Sequence, residues 1–211
     1  MSKNYRLISL LNTLSKVFEK CVFDNLYPYL ITNKLLSPIN SGFIKHDGSI
    51  NRLIAMVDSI HKGFDNKQDS LLISLDISKA FDRVWYQGLL FKLKQMGITG
   101  TLLNWFSSYL SNRRQRVRVG GSYSTLKNTN AGVPQGSILG PILFLIYVND
   151  MCSNLISDAH QFADDTTLIY TFKDPILAVQ VVNHDLLVLQ RWAEQWRVTF
   201  NPDKTFFTYV P

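Results

Sequence analysis

The sequence predicts an α+β fold built on an antiparallel sheet, and three observations carry that expectation. Helical and strand periodicities are intermixed along the chain without the regular beat of a parallel, doubly wound sheet. Two apolar runs separated only by Ala163-Asp164-Asp165 read as a hairpin, and tight hairpins join antiparallel strands. With 211 residues, 46% of them hydrophobic, the chain can bury a core without disulfide or metal staples. Hydrophobic content at this level also excludes a disordered tail or a low-complexity fibre.

The elements follow in order. Ile50, Leu53, Ile54, Val57, Ile60 and Phe64 recur at helical spacing, and Gly63 with the polar run Asp65–Asp69 closes that helix. Ser70–Ile77 is apolar and β-branched, the pattern of a buried strand, with Asp76 at its end. A helical pattern then runs to about Gln95 and stops at Gly97. Thr99 can cap the next helix, which carries Leu102, Leu103, Trp105, Phe106 and Leu110. Arg114, Arg116 and Arg118 alternate with apolar or neutral residues, the spacing of one strand, and Gly120-Gly121 turns into a second near Ser122–Asn128.

Beyond the breaker-rich loop Gly132-Val133-Pro134-Gln135-Gly136, Ser137 can cap a helix running towards Asp150. The hairpin Asp158–Phe162 and Thr166–Phe172 comes next. Asp174 followed by Pro175 has the chemistry of a helix start, and that helix extends to about Arg197. A short strand, the loop Asn201-Pro202-Asp203-Lys204 and a last strand complete the order. The helices are expected on one face of the sheet. Residues 1–69, mixed helix and loop, are expected as a lobe beside the sheet-bearing residues 70–211.

Several classes of function drop out. Cys21 and Cys152 cannot form a disulfide framework or a zinc site, so a reducing, intracellular compartment is expected, nucleus or cytoplasm. The apolar stretch Ile138–Val148 contains Gly140 and Pro141 and falls far short of the ~20 residues a membrane helix needs. No membrane partner is expected. His46, His61, His160 and His184 are scattered and propose no nucleophile or zinc ligand set. The net charge of +6 suits a polyanionic partner, but many enzymes with no such partner are equally basic.

Three carboxylates stand out by placement. Asp76 ends a strand that is otherwise buried, where an ionised carboxylate is costly unless a cation meets it. Asp164 and Asp165 sit side by side in a turn, where like charges repel. One divalent cation resolves both difficulties, and an all-oxygen donor set points to Mg²⁺ or Mn²⁺. The ordinary explanation stands beside it: Asp pairs are frequent in turns because Asp hydrogen-bonds its own backbone there. Asp76 alone could equally cap a helix.

The motifs around these residues are informative as a set. Leu75-Asp76-Ile77-Ser78-Lys79-Ala80-Phe81-Asp82-Arg83-Val84 resembles the first catalytic motif of reverse transcriptases. Gly132-Val133-Pro134-Gln135-Gly136-Ser137 is similar to their nucleotide- and template-positioning motif, Phe162-Ala163-Asp164-Asp165 to their aspartate-pair turn, and Asn201-Pro202-Asp203-Lys204-Thr205 to their lysine-bearing motif. Asn4–Leu11 and Trp105–Arg113 resemble segments of LINE-type (non-LTR) retrotransposon reverse transcriptases. All occur in the family's order, and together they span nearly the whole chain.

The resemblance implies a polymerase fingers–palm: a ferredoxin-like antiparallel sheet backed by helices, with residues 1–69 as fingers, 70–211 as palm and 100–130 as an insertion between them. It implies RNA-templated synthesis of DNA from deoxynucleoside triphosphates on a primer 3′-hydroxyl. Two Mg²⁺ ions, replaceable by Mn²⁺, would be held by Asp76, Asp164, Asp165 and the carbonyl of Ile77. Lys204 would give a proton to pyrophosphate or neutralise it, although by itself it reads as a surface lysine. Phe81 falls on the steric-gate position that excludes a ribose 2′-hydroxyl; without the motif it is a core aromatic. Gln135 would meet the incoming nucleotide.

The segment Gly42–Ser49 matches the fingers motif loosely, with Ile44 where relatives carry Arg, so Lys45 and Arg52 are the candidates for triphosphate binding. Arg114, Arg116 and Arg118 would face template or primer phosphates, or form a solvated strand face. The family's thumb and endonuclease are expected to be missing. Rivals to an active polymerase are a degenerate, inactive copy and a non-catalytic nucleic-acid-binding module. A nucleotide cyclase on a related fold lacks support, since the loop and gate motifs are present.

Overall fold

The computed structural model describes residues 8–211; of the motif Asn4–Leu11, only the part from Ile8 onward lies within them. The chain divides into two compact units, neither continuous in sequence. One is built from residues up to Tyr29 together with Ala80–Tyr147, the other from Leu30–Lys79 with Val148–Pro211. Residues 1–69, expected as one lobe, are therefore divided between the two.

The second unit holds the sheet. Its strands are β1 (Asp69–Asp76), β6 (Asp158–Phe162), β7 (Asp165–Phe172) and β8 (Phe206–Val210) in the order β6-β7-β1-β8, antiparallel throughout. β1 and β7 pair without a bulge from Asp69↔Phe172 to Asp76↔Asp165. Side chains alternate faces along a strand, so Ser70, Ser74 and Asp76 point to one side of β1 and Ile73 and Leu75 to the other. The short strand expected before Asn201 is a single bridge, Ile77↔Phe200.

Two helices cover this sheet, and they do not share a face as expected. α2 (Ser49–Asp65) lies over the Ser70 face: a Cβ on Gly63 would come 3.0 Å from Thr171 Cγ2 and 3.1 Å from Ser70 Oγ. α6 (Pro175–Gln195) lies on the Leu75 side, where Leu75 shares a cavity of about 230 Å³ with Leu186, Leu189 and Ala193. Asp174 caps α6 as predicted, accepting from Ile176 N at 2.9 Å with Pro175 at the first position.

The face that α2 buries also differs from expectation. Ile50, Leu53, Ile54 and Val57 are exposed, Ile50 by 72%, while Arg52, Ser59 and Gly63 turn inwards. The sheet face beneath is polar, and polar groups select the inward stripe. Ser59 Oγ donates to Asp158 Oδ2 at 2.6 Å and Arg52 Nη1 to His160 Nδ1 at 3.3 Å. An apolar stripe on that surface would leave buried donors and acceptors unmet.

The first unit holds most of α1 (Thr13–Thr32), then α3 (Tyr86–Gln95), α4 (Gly100–Leu110) and α5 (Gly140–Val148). The helical pattern expected after Asp76 begins as one 3₁₀ turn, Ala80–Arg83, before α3. Thr99 sits at the start of α4 without a side-chain cap bond. α5 is buried nearly all round, which is why its sequence lacks an amphipathic period.

The Arg-rich strand pair is broken into two ribbons. β2 (Arg114–Gln115) pairs with β5 (Lys127–Asn128), and β3 (Arg118–Val119) with β4 (Ser122–Tyr123). Between them Ser124 N still donates to Val117 O at 2.9 Å, but the return bond from Val117 N, also 2.9 Å, ends on Ser124 Oγ and not on a backbone carbonyl. Both cysteines are free, and burial next to Asp185 pushes the Cys152 thiol up to about 12. Among the described residues no helix is long and apolar enough to cross a membrane.

Asp185 on α6 is fully buried and accepts from Ile156 N at 2.9 Å and Ser157 N at 2.8 Å, fixing the approach to β6. Burial by itself would raise its carboxyl, but these amides, the Ser157 hydroxyl and His184 outweigh it and hold the group below the ordinary range. Asp185→Ala should therefore lower unfolding free energy by about 2–3 kcal/mol in a urea titration, since two buried amides lose their acceptor. Because the folded-state value is depressed, the contribution is complete above about pH 4 and is lost as pH falls through the folded value. The wild-type stability curve should be steeper there than that of the variant.

Candidate active site

The end of β1 gathers the residues that matter most. Unbroken register sets Asp76 opposite Asp165, and paired residues on neighbouring antiparallel strands lie within about 5.5 Å at their Cα atoms. Asp164 precedes Asp165 in the hairpin turn. Asp76 is only 9% exposed, Asp164 half-buried and Asp165 exposed. Like charges directly opposite on a sheet repel, and here a counter-charge meets one of them. Lys204 Nζ donates to Asp76 Oδ1 at 3.0 Å, and Asn201 Nδ2 reaches Asp76 Oδ2 at 3.4 Å.

The backbone delivers that lysine. Asn201 N donates to Asp76 O and Ser78 N to Thr199 O, each at 2.8 Å, clamping the segment before β8 onto the end of β1. Asn201 then caps the 3₁₀ turn Pro202–Lys204 by accepting from Asp203 N. Lys204 is thereby fixed to Asp76 although its side chain is 57% exposed. The two clamp bonds use Asp76 O and Ser78 N, so they do not consume the carbonyl of Ile77.

The turn carrying the aspartate pair is strained. Ala163 has φ 58°, in the left-handed region that costs an L-residue roughly 1–2 kcal/mol. Ile39–Gly42 runs along the outer edge of β6 beside it: Gln161 N donates to Ile39 O at 2.9 Å and Ser41 N to Gln161 O at 3.0 Å. Arg52 anchors this segment, donating to Ser41 Oγ at 2.8 and 3.1 Å and to Pro38 O at 3.4 Å. Most of its guanidinium is thus committed inside the fold, a role the sequence does not foretell. Burial and the Arg52 charge lower the His160 imidazole against the opposing pull of Asp158, so the ring is neutral when it accepts from Arg52. Lys45 is exposed, between the left-handed residues Phe43 and His46.

The remaining predicted residues belong to the first unit. Phe81 stacks on Phe144 with ring centroids 4.9 Å apart, and its carbonyl accepts from Val133 N at 2.7 Å. Gly132 N donates to Val84 O at 2.9 Å, so the Gly132–Gly136 loop lies against the 3₁₀ turn bearing Phe81. Gly132 (φ 92°) has no alternative, since a Cβ there would lie 2.8 Å from Asp82 O. Gln135 is half-buried and accepts at its carbonyl from Ser9 N. Ser137 closes the loop as predicted, accepting from Gly140 N at 2.8 Å. Arg116 and Arg118 flank the Tyr123 ring at 4.2 and 5.5 Å, and Arg114 is exposed on the other ribbon.

Carboxylate and carbonyl oxygens of the kind that Asp76, Asp164, Asp165 and Ile77 carry are donors that Mg²⁺ or Mn²⁺ accepts. Among the described residues no three acidic, His or Cys side chains are drawn together as a ready ligand set. At Asp76 the two oxygens face Lys204 and Asn201. A cation binding there competes with an internal one. Sequence reasoning missed Asn201 as a partner of Asp76, although its Asn-Pro start carried the signal of a capped turn.

The family model for reverse transcriptase (RNA-dependent DNA polymerase) matches residues 1–210. The chain is 33% identical over 211 residues to the probable RNA-directed DNA polymerase from transposon BS of Drosophila melanogaster, and 32% over 209 to that of the mobile element jockey from the same fly. These matches cover 96% and 95% of the chain but 23% of each relative, so the chain spans about a quarter of their length. Apo telomerase of Candida tropicalis superposes with a TM-score of 0.66 at 13% identity over 90% of this chain and 36% of that one, a likeness of fold.

Lys204→Gln should tighten Mn²⁺ binding about fivefold, the loss of a partly exposed competing charge, when free Mn²⁺ is titrated by electron paramagnetic resonance. Asp76→Asn should weaken it. Equal or weaker binding by Lys204→Gln would remove Lys204 as the competitor for Asp76.

Proposed function

The chain belongs to the reverse transcriptase (RNA-dependent DNA polymerase) family, and from that premise we propose that it is the fingers–palm portion of a non-LTR retrotransposon's RNA-directed DNA polymerase. The observation that carries the reading is the pairing of Asp76 with Asp165 at the strand ends, with Asp164 adjacent and Lys204 delivered to the same carboxylate. Its substrates would be an RNA template, a DNA primer and deoxynucleoside triphosphates, in the nucleus or cytoplasm, within a longer protein that supplies a thumb and an endonuclease.

Asp76, Asp164, Asp165 and the Ile77 carbonyl would hold two Mg²⁺ ions, or Mn²⁺ in their place. When bound, such ions polarise the primer 3′-oxygen and stabilise the departing pyrophosphate. Lys204, whose ammonium meets Asp76 on a side chain more than half exposed, would neutralise or protonate the leaving group. The same lysine balances the charge of Asp76 before substrate arrives.

The first unit supports the remaining roles. Phe81 is fixed by stacking on Phe144 and by the carbonyl bond to Val133, which gives the rigidity that steric rejection of a 2′-hydroxyl requires. Gln135 would meet the incoming nucleotide from a loop tied down at Gly132 and Ser137. Arg114, Arg116 and Arg118 would contact phosphates, with the Tyr123 ring holding the last two guanidinium groups in place. Lys45 is the better candidate for the triphosphate, because Arg52 holds the edge of β6.

Primer extension on RNA with Mg²⁺ or Mn²⁺ tests this. The wild-type chain should add nucleotides and Asp164→Asn/Asp165→Asn should fall to background while its thermal unfolding temperature does not fall, since the substitution relieves like-charge repulsion. A folded wild type that binds primer–template yet extends nothing would favour the non-catalytic reading. In the active chain, Phe81→Ala should lower selectivity for deoxy- over ribonucleotides by about ten- to a hundredfold; unchanged selectivity would exclude Phe81 as the gate.

A further inference from the structure

We infer that Asn40 is a positioning residue for the aspartate pair, holding the strained turn through a single side-chain oxygen. Asn40 Oδ1 accepts from Gly42 N at 2.8 Å and from Ala163 N at 3.2 Å, and the residue is 7% exposed. The inference rests on the metal reading above.

Ala163 is the first residue after β6 and immediately precedes Asp164, in a two-residue turn closed by the Phe162↔Asp165 pair. Glycine is the usual occupant of a left-handed first position in such turns, because a side chain disfavours that conformation. An alanine stays there only if its surroundings over-determine it. The surroundings are specific. Ala163 is 4% exposed, and its N–H ends on Asn40 and not on the partner strand.

The amide of Gly42 meets the same oxygen, and Gly42 backbone packs so closely that a Cβ would lie 2.3 Å from Ala163 N. Asn40 is itself fixed, because the segment around it pairs with Gln161 and is gripped by Arg52 through Ser41 and Pro38. A continuous chain of packed groups thus runs from α2 to the turn. It sets where the backbone leaves β6 and so where Asp164 and Asp165 are presented. Two amides converging on one buried acceptor also explain why the residue is Asn: an apolar side chain would leave both unmet.

The test uses the whole chain and two readouts, Mn²⁺ affinity by electron paramagnetic resonance and hydrogen exchange at the Ala163 amide. Asn40→Leu keeps the size and removes the acceptor. Asn40→Ser leaves room for water on the freed amides, should the Leu variant fail to fold. Asn40→Asp retains the acceptor. Substitutions in the shell behind a metal site weaken binding about 10- to 100-fold, and that loss is expected for Leu and Ser. Ala163 exchange should quicken in both while β1 and β7 amides keep their protection. In Asn40→Asp, whose oxygen still accepts from both amides, Ala163 exchange should stay slow even though the added charge alters Mn²⁺ affinity.

Folded Leu or Ser variants with wild-type Mn²⁺ affinity and unchanged Ala163 exchange would overturn the inference. So would a loss of affinity accompanied by equal deprotection of the whole sheet, which marks a merely structural role. If the wild type binds no Mn²⁺, the metal reading fails separately, and local quickening at Ala163 alone then decides whether Asn40 holds the turn.

Discussion

The pairing of β1 with β7 is the constraint on which the site depends. Eight residue pairs run without a bulge and finish with two carboxylates side by side. A slip of one residue would send every side chain on one strand to the opposite face, moving Asp76 to the α6 side and Leu75 to the polar side. The hydrophobic pattern fixes the register, since Ile73 and Leu75 are buried by 95% or more only as the strand now sits. Packing energy therefore holds two like charges close together. Their repulsion is a local cost borne by a well-buried sheet.

Three buried acids are held by partners of different kinds. Asp185 has two backbone amides as permanent partners, and Glu19 accepts from Ile138 N at 2.7 Å and from the Tyr109 hydroxyl at 3.1 Å. Each is thus tied to at least one backbone amide, which cannot leave without moving the chain itself. Asp76 instead faces a lysine on a side chain more than half exposed, and an amide at 3.4 Å. A lysine swings away at little expense to the backbone. Side-chain partners at Asp76, against backbone amides at Asp185 and Glu19, are what distinguish the three.

Much of this was legible in the residues. The strand ending at Asp76, the hairpin, the Asp174-Pro175 helix start and the Ser137 cap all follow from local rules, and each is local in origin. Where reading failed, the deciding contact was a side-chain partner that periodicity does not reveal. The apolar stripe of α2 correctly indicates a helix, but a polar sheet face chose its other side. Alternating arginines suggest one long strand, yet the Ser124 hydroxyl interrupts it. Arg52 looks available from sequence, until Ser41 and Pro38 claim it.

By itself the sequence determined the element types, the position of three carboxylates at strand ends and turn, and the family, because periodicity, turn chemistry and ordered motifs are properties of contiguous residues. Tertiary structure alone decided which face each helix buries and that Lys204 meets Asp76. It also decided that Asn40 and Gly42 stand behind the turn of Ala163. These contacts join residues more than a hundred positions apart. Hydrogen-bond partners and close backbone approaches at that separation are set by sheet register and packing, and neither leaves a periodic mark on the chain.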